Sequence, residues 1–469
     1  MTRPNVVFVF ADQMRAQATG YAGDPNAHTP TIDRLAGESL NCVNALSGHP
    51  VCCPYRASLL TGQYPLTHGV YINDVHLDDD AVSIGKVFRA AGYDTGYIGK
   101  WHLNGSPDGA YSGRRAWIPP ESHQGFDYWK AFECNHNYLD SHYFEGDSPE
   151  LQHWDGYDVI AQTQDACGYI ADHAGTDRPF FLMLSWGTPH DPYGLVPDEY
   201  KALFSDREIQ LRPNVTEEKR DKAIQDLRGY YAHIAAIDDC VGDLLDTLDT
   251  AGIAEDTIFV FTSDHGDCHY SQGMWTKVVP FEESIRVPFL LRYPQAFGKE
   301  GRRSDVLVDA PDIMPTLLSL CGLATPDTVQ GRDFSGHLLG RQSMEDDDSA
   351  FLSAPVSFAI LRAQGLPAYR GVRTLRHTYV RSIRGPWMLF DNVEDPYQLD
   401  NLIDQPSVAE LRAELELQLQ GWLDRLGDEF LPGHAYLERD GLTHYREVTA
   451  EWGRMPTPWT AALNGGDTC

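Results

Sequence analysis

Two polar pairs stand directly behind apolar runs, Asp12-Gln13 after "VVFVFA" and Asp264-His265 after "FVFTS". Carboxylate and amide oxygens with one imidazole nitrogen make a hard, oxygen-dominated donor set that suits a divalent cation such as calcium, magnesium or manganese. Either aspartate alone reads more simply as the cap of the turn behind it; two at the ends of apolar runs favour the metal. A third stretch, "GHPVCCPYRASLLTG" (48–62), sets Cys52 and Cys53 before Pro54. Proline suits the first turn of a helix, where its missing N–H leaves nothing unpaired, and "ASLLTG" carries that helix to Gly62. Both cysteines then lie at a helix N-terminus, where backbone N–H groups favour an anion and a thiol ionises more readily. That would make a nucleophile. For Cys53 the plainer reading, a small buried apolar residue, is preferred.

These residues need a frame. Short continuous apolar runs recur at 6–10, 96–99, 179–186, 257–263 and 287–293. Such runs read as strands buried on both faces, as in a parallel sheet. Helical patterns alternate with them at 31–39, 83–92 and 219–252, the last with Ile224, Leu227, Tyr231, Ile234, Ile237, Val241, Leu244 and Leu248 on one stripe. The alternation predicts an α/β fold, with a large, mainly parallel central sheet flanked by helices. In such sheets ligands bind beyond the carboxyl ends of the strands, where both polar pairs stand. The stretch 100–160, rich in Gly, Pro, His, Asn and aromatics, reads as loop, and an acidic loop breaks the chain at 340–350. Beyond it, alternating strands and the amphipathic segment 407–427 predict a smaller C-terminal α+β subdomain with a short antiparallel sheet. The expected division is 1–364 and 365–469.

Bulk composition narrows the partners. The 469 residues carry 37 basic against 68 acidic side chains, a net charge of −31, which argues against nucleic acid or an anionic membrane surface. An anionic substrate would need a local basic island. Nine scattered cysteines without zinc-type spacing make a disulfide framework or structural zinc a poor reading. No apolar run reaches membrane-spanning length. The expectation is a cytoplasmic protein if the given start is native, and a periplasmic one if a signal was removed.

Cys52, Pro54, Arg56, Thr61 and Gly62 fit the pattern C-x-P-x-R-x-x-x-x-T-G, and "GYDTGYIGKWH" (92–102) fits a second one ending in Gly-Lys-aromatic-His. With "TPH" (188–190), "TSDHGD" (262–267), "MWTK" (274–277) and "FEESIRVPFLLRYP" (281–294), the chain resembles the type I, formylglycine-dependent sulfatases of the alkaline-phosphatase-like superfamily. The resemblance implies that Cys52 is oxidised to formylglycine by a formylglycine-generating enzyme, with Pro-x-Arg as the tag. It implies that Asp12, Gln13, Asp264 and His265 bind one divalent metal together with a hydroxyl of the hydrated residue 52, calcium being preferred and magnesium or manganese possible. It further implies that Arg56 holds the hydrate, and that Lys100 and Lys277 bind sulfate oxygens. His190 or Lys277 would protonate the departing alcohol, and His102 would release the sulfate.

The expected substrate is a small-molecule or oligosaccharide sulfate ester, most readily a sulfated carbohydrate, with Trp101, Trp186, Trp275 and the loop 133–144 as sugar-contacting candidates. Many relatives carry a second aspartate where this chain has Gln13. That keeps open a phosphonate monoester hydrolase or phosphodiesterase of the same superfamily. A non-catalytic binder of sulfated glycans is the remote alternative.

Overall fold

A computed structural model describes residues 3–343 and 349–449. Fourteen strands form two sheets. The first holds β1 (Asn5–Asp12), β2 (Leu40–Cys42), β3 (Asp94–Lys100), β4 (Tyr128–Phe132), β5 (His142–Glu145), β6 (Gln152–His153), β7 (Phe180–Pro189), β8 (Thr257–Ser263), β9 (Phe289–Arg292) and β10 (Arg302–Ser304). Their order is β10-β2-β9-β8-β1-β7-β3-β4-β5-β6. The central five, β8-β1-β7-β3-β4, run parallel. β1 lies in the middle and Val6–Ala11 are at most 1% exposed, which is why its sequence is an unbroken apolar run. Helices cover both faces; the longest, Arg220–Thr250, buries Leu227, Tyr231, Ile234, Val241 and Leu248 against one of them.

The sequence-based frame differs in three places. The run at 287–293 is a strand, β9, but it pairs antiparallel with β8 and β2, because apolar continuity reports burial and not direction. The stretch 100–160 is not all loop: β4, β5 and β6 extend the sheet there, and their mixed aromatic and charged residues hide the strand pattern. The antiparallel sheet β11 (Ser349–Ala354), β12 (Tyr369–Thr374), β13 (His377–Ser382) and β14 (Gly385–Asp391) takes its first strand from before residue 365. The helix Ala409–Leu426 packs on it through Leu415, Leu419, Trp422 and Leu423. Residues 344–348 of the acidic loop and 450–469 of the C-terminal segment lie outside the described residues. No helix among the described residues is long and apolar enough to cross a membrane.

Candidate active site

Strand ends converge on one point. Asp12 is the last residue of β1, Lys100 the last of β3, and His190 and Asp264 follow β7 and β8 directly. Register aligns Ala11 with Ser263 and Phe10 with Ser185, so the four ends finish at one level. Cys52 enters from the first turn of the helix Cys52–Thr61, every residue of which is buried. That helix is held by tertiary packing against Ala310–Leu320 and not by an amphipathic face. It stops at Gly62 (φ 67), whose N–H donates to the Ser58 carbonyl.

The four donors Asp12, Cys52, Asp264 and His265 lie within 4.8 Å of one another and are all buried. His265 Nε2 is 3.6 Å from Asp12 Oδ1, 3.5 Å from Asp264 Oδ1 and 3.3 Å from Cys52 Sγ. The other carboxylate oxygens turn away to cations. Lys100 Nζ donates to Asp12 Oδ2 at 2.6 Å, and Arg56 Nη2 reaches Asp12 Oδ2 at 3.2 Å and Asp264 Oδ2 at 3.4 Å. Arg56 Nη1 donates to the Lys100 carbonyl (2.7 Å) and to Ser185 Oγ (2.6 Å). Burial, joined by Asp12, pushes Asp264 up to about 6, whereas Lys100 and its neighbours overcome burial and hold Asp12 below the usual carboxylate range. Two buried carboxylates that cannot comfortably ionise together, with an imidazole and a sulfur between them, are a donor set that fits a divalent cation.

Gln13 sits at φ 72, and its N–H donates to Asp264 Oδ1 at 3.0 Å. Its amide is fixed by two groups the sequence reading missed: Nε2 donates to Asp267 Oδ2 (2.6 Å), which also accepts from the Tyr193 hydroxyl. Oε1 therefore faces the site, where it accepts from Lys277 Nζ at 2.7 Å. Lys277 Nζ also lies 3.5 Å from Cys52 Sγ and donates to His190 Nε2 at 2.7 Å. His190 Nδ1–H donates to the Asp191 carbonyl at 2.8 Å, which leaves Nε2 of the neutral ring to accept from Lys277. Burial and Lys277 keep His190 well below the ordinary imidazole value. Thr276 and Val278, both β-branched, hold positive φ (65° and 78°) on either side of Lys277, strain that only a firmly packed loop sustains.

Cys52 itself is 2% exposed. Burial and Asp12 raise its thiol, but Lys100, Lys277 and His265 outweigh them and hold it well below the ordinary value. Cys53, fully buried, accepts from the Asp74 N–H and is pushed up to about 11 by burial. His102 comes out of β3 on the far side of Lys100 and places Nε2 3.3 Å from Asp74 Oδ1. Arg114 clamps the same carboxylate through Nε (2.8 Å) and Nη2 (2.6 Å). Asp74 comes from a loop and Arg114 from the 3-10 turn Ser112–Arg115, neither with a local signal, so only the fold reveals them. Ser185 and Asp267 had one: a polar residue inside "FFLMLSW" and a second carboxylate in "SDHGD".

The aromatic expectation narrows. Trp101 and Trp186 are 1% and 0% exposed and belong to the core; Trp275, at 36%, is at the surface. In the loop 133–144, Asn135 bonds the backbone of Asn137 and Ser141 Oγ, a self-satisfied turn, while the His136 ring stacks on His190 at 4.5 Å.

This constellation has relatives. Residues 4–323 match the model of the Sulfatase family, and 271–424 that of the N-sulphoglucosamine sulphohydrolase C-terminal region. The chain is 42% identical over 442 residues to an ulvan-active sulfatase of Formosa agariphila, covering 93% of this chain and 84% of the other. A solved Bacteroides thetaiotaomicron structure, from work on the metabolism of multiple glycosaminoglycans, superposes with a TM-score of 0.82 at 30% identity, over 96% of this chain and all of that one. The phosphonate monoester hydrolase of Agrobacterium radiobacter shares the fold, with a TM-score of 0.71 at 24% identity over 92% of this chain and 96% of that one. With a family model spanning most of the chain and the signature cysteine set between two buried aspartates and two lysines, the chain belongs to the sulfatase family, hydrolases of sulfuric esters within the alkaline-phosphatase-like superfamily.

Proposed function

We propose that this sulfatase cleaves a sulfate ester on a carbohydrate, with the hydrated aldehyde made from Cys52 as nucleophile. The supporting observation is the placement of Cys52 Sγ, which stands where an oxygen of that hydrate would be: 3.3 Å from His265 Nε2, 3.5 Å from Lys277 Nζ and 3.8 Å from Lys100 Nζ. Asp12, Asp264, His265 and Gln13 Oε1 would hold a divalent cation, with calcium preferred. It would supply positive charge against the sulfate oxygens.

The chain's own groups supply the rest. Lys100 and Lys277 present ammonium groups to the sulfate, in a site dry enough for each to count. One hydroxyl of residue 52 gives its proton to Asp264, a carboxylate of the same buried cluster, and attacks sulfur as the bond from sulfur to the ester oxygen breaks; Lys277 delivers its own proton to the departing alkoxide. His102, oriented by Asp74, takes the proton of the second hydroxyl; the carbon–oxygen bond to sulfate then breaks, sulfate leaves, and water adds to the aldehyde to restore the hydrate. Arg56 braces Asp12 and Asp264 and keeps their free edges on the metal side.

A carbohydrate is preferred because the most exposed site groups, His190 at 8% and Lys277 at 9%, open beside the accessible Trp275. The Formosa relative's activity on ulvan and the Bacteroides structure's setting in glycosaminoglycan metabolism point the same way. Gln13 in place of a second carboxylate, with the shared hydrolase fold, supports the second reading, a phosphonate or phosphodiester substrate. One preparation assayed on matched aryl sulfate, phosphonate monoester and phosphodiester substrates separates the two. Sulfate turnover is expected to lead by kcat/KM; a lead for either phosphorus ester overturns the primary reading.

A further inference from the structure

A cavity of about 620 Å³ adjoins the mouth of the site. It shares Asp191, the neighbour of His190, and Trp275, two residues before Lys277, so it begins where the two most exposed site groups lie. In a chain of 37 cations and 68 acids, its wall carries three basic side chains, Lys201, Lys222 and Arg228, against two acidic ones, Asp191 and Asp226. Lys222 pairs with Asp226 at 2.6 Å and Lys201 with Asp198 at 3.1 Å. Arg228 has no carboxylate partner among the described residues; its guanidinium reaches only the Arg207 carbonyl, at 3.4 Å. Asp226 is drawn further off by the Tyr270 hydroxyl, which donates to it at 2.8 Å. A guanidinium without a carboxylate partner and an exposed indole on the wall of one cavity, in a protein of this charge, are an arrangement for an anion on a flat ring.

We propose that this cavity is a second anion subsite on the leaving-group side: it takes the sugar beyond the cleaved ester, or that sugar's neighbour, through a carboxylate or a further sulfate on Arg228 and Lys222 with the ring against Trp275. The inference rests on the carbohydrate reading above and names the substrate class as a polyanionic saccharide. Arg228 gives the −31 chain a cation there that no carboxylate of the described residues neutralises.

Binding to Cys52→Ala protein, which needs no turnover, tests it by calorimetry. The probes are oligosaccharides of ulvan and of chondroitin 4-sulfate, each native, carboxyl-reduced and partly desulfated, with 4-nitrophenyl sulfate as the single-anion reference. At least one native oligosaccharide should bind about tenfold tighter than the reference. Arg228→Gln should shrink that ratio at least about fivefold, Arg228→Lys much less, as for a modestly screened ion pair. Loss of the ratio on carboxyl reduction identifies a uronate, and loss on partial desulfation identifies a second sulfate. A ratio untouched by Arg228→Gln, or no native oligosaccharide above the reference, overturns the subsite. Failure of the hydrolase reading looks different: wild-type protein would turn over no sulfate ester while Arg228-dependent binding persisted.

Discussion

Lys277 joins three of the site's groups. It touches Gln13 Oε1, Cys52 Sγ and His190 Nε2 within 3.5 Å, and it is the partner that makes His190 an acceptor. The proposed function places two roles, holding sulfate and delivering the proton, on this one ammonium. Lys277→Ala should lower kcat on an alkyl sulfate by about 10³-fold, in the range for losing a positioned acid together with a charge on the transition state. A 4-nitrophenyl ester, whose leaving group needs no proton, should lose clearly less, and His190→Ala should show the same ester dependence at smaller size. Steady-state rates across esters of graded leaving-group pKa check this; an equal loss on all of them would leave Lys277 as a sulfate ligand only. Lys277 and His190 were legible in the sequence because each stands in a recognisable motif. Asp74 and Arg114 were not, since Asp74 meets His102, and Arg114 meets Asp74, only through the packing of segments distant in sequence.

At the scale of elements, the parallel strands do the positioning. β3 approaches β7 so closely at Gly99 (φ 103) that a Cβ there would sit 2.1 Å from the Ser185 carbonyl oxygen, one residue before Lys100. The apolar runs of β1, β7 and β8 were readable because strands covered on both faces keep no polar residues to spare. β9's direction and the strands β4–β6 were hidden, the first because burial carries no sign, the others because their outer faces are wet. The small sheet is tied to the connection between β8 and β9 by a buried pair: Arg373 Nε donates to Oε1 of Glu282, in the short helix Glu282–Ile285, at 2.8 Å and Nη2 to Oε2 at 3.2 Å, both side chains 3% exposed. Although burial favours the neutral acid, Arg373 brings Glu282 down to about 2. Arg373→Ala should cost about 3–5 kcal/mol in chemical denaturation by stranding a buried charge, and the double change Arg373→Met with Glu282→Gln clearly less. Equal losses would mean that packing, not charge, makes this tie.

Across the whole molecule, burial sets the response to pH. Asp158, buried at the start of the helix Asp158–His173, is pushed up to about 8 by burial. Its folded value lies above the unfolded one, so its contribution is fully present below about pH 4 and is lost as pH rises toward 8. His49, His68 and His233 are pressed down to about 3 by burial, so theirs is present above about 6.5 and lost as pH falls. Thermal melts should therefore fall on both sides of mildly acidic pH, and Asp158→Asn should flatten the alkaline limb by a few kcal/mol; parallel curves for the two proteins would contradict the assignment. The overall chemistry still turns on residue 52. The most direct measurement pairs the mass of the Cys52 peptide with the rate on 4-nitrophenyl sulfate, over preparations made with and without a formylglycine-generating enzyme. Conversion of thiol to aldehyde lowers that mass by about 18 Da, the difference between CH₂SH and CHO. Turnover should rise in proportion to the aldehyde fraction and vanish with it. Full activity in protein whose residue 52 is wholly thiol would contradict the account.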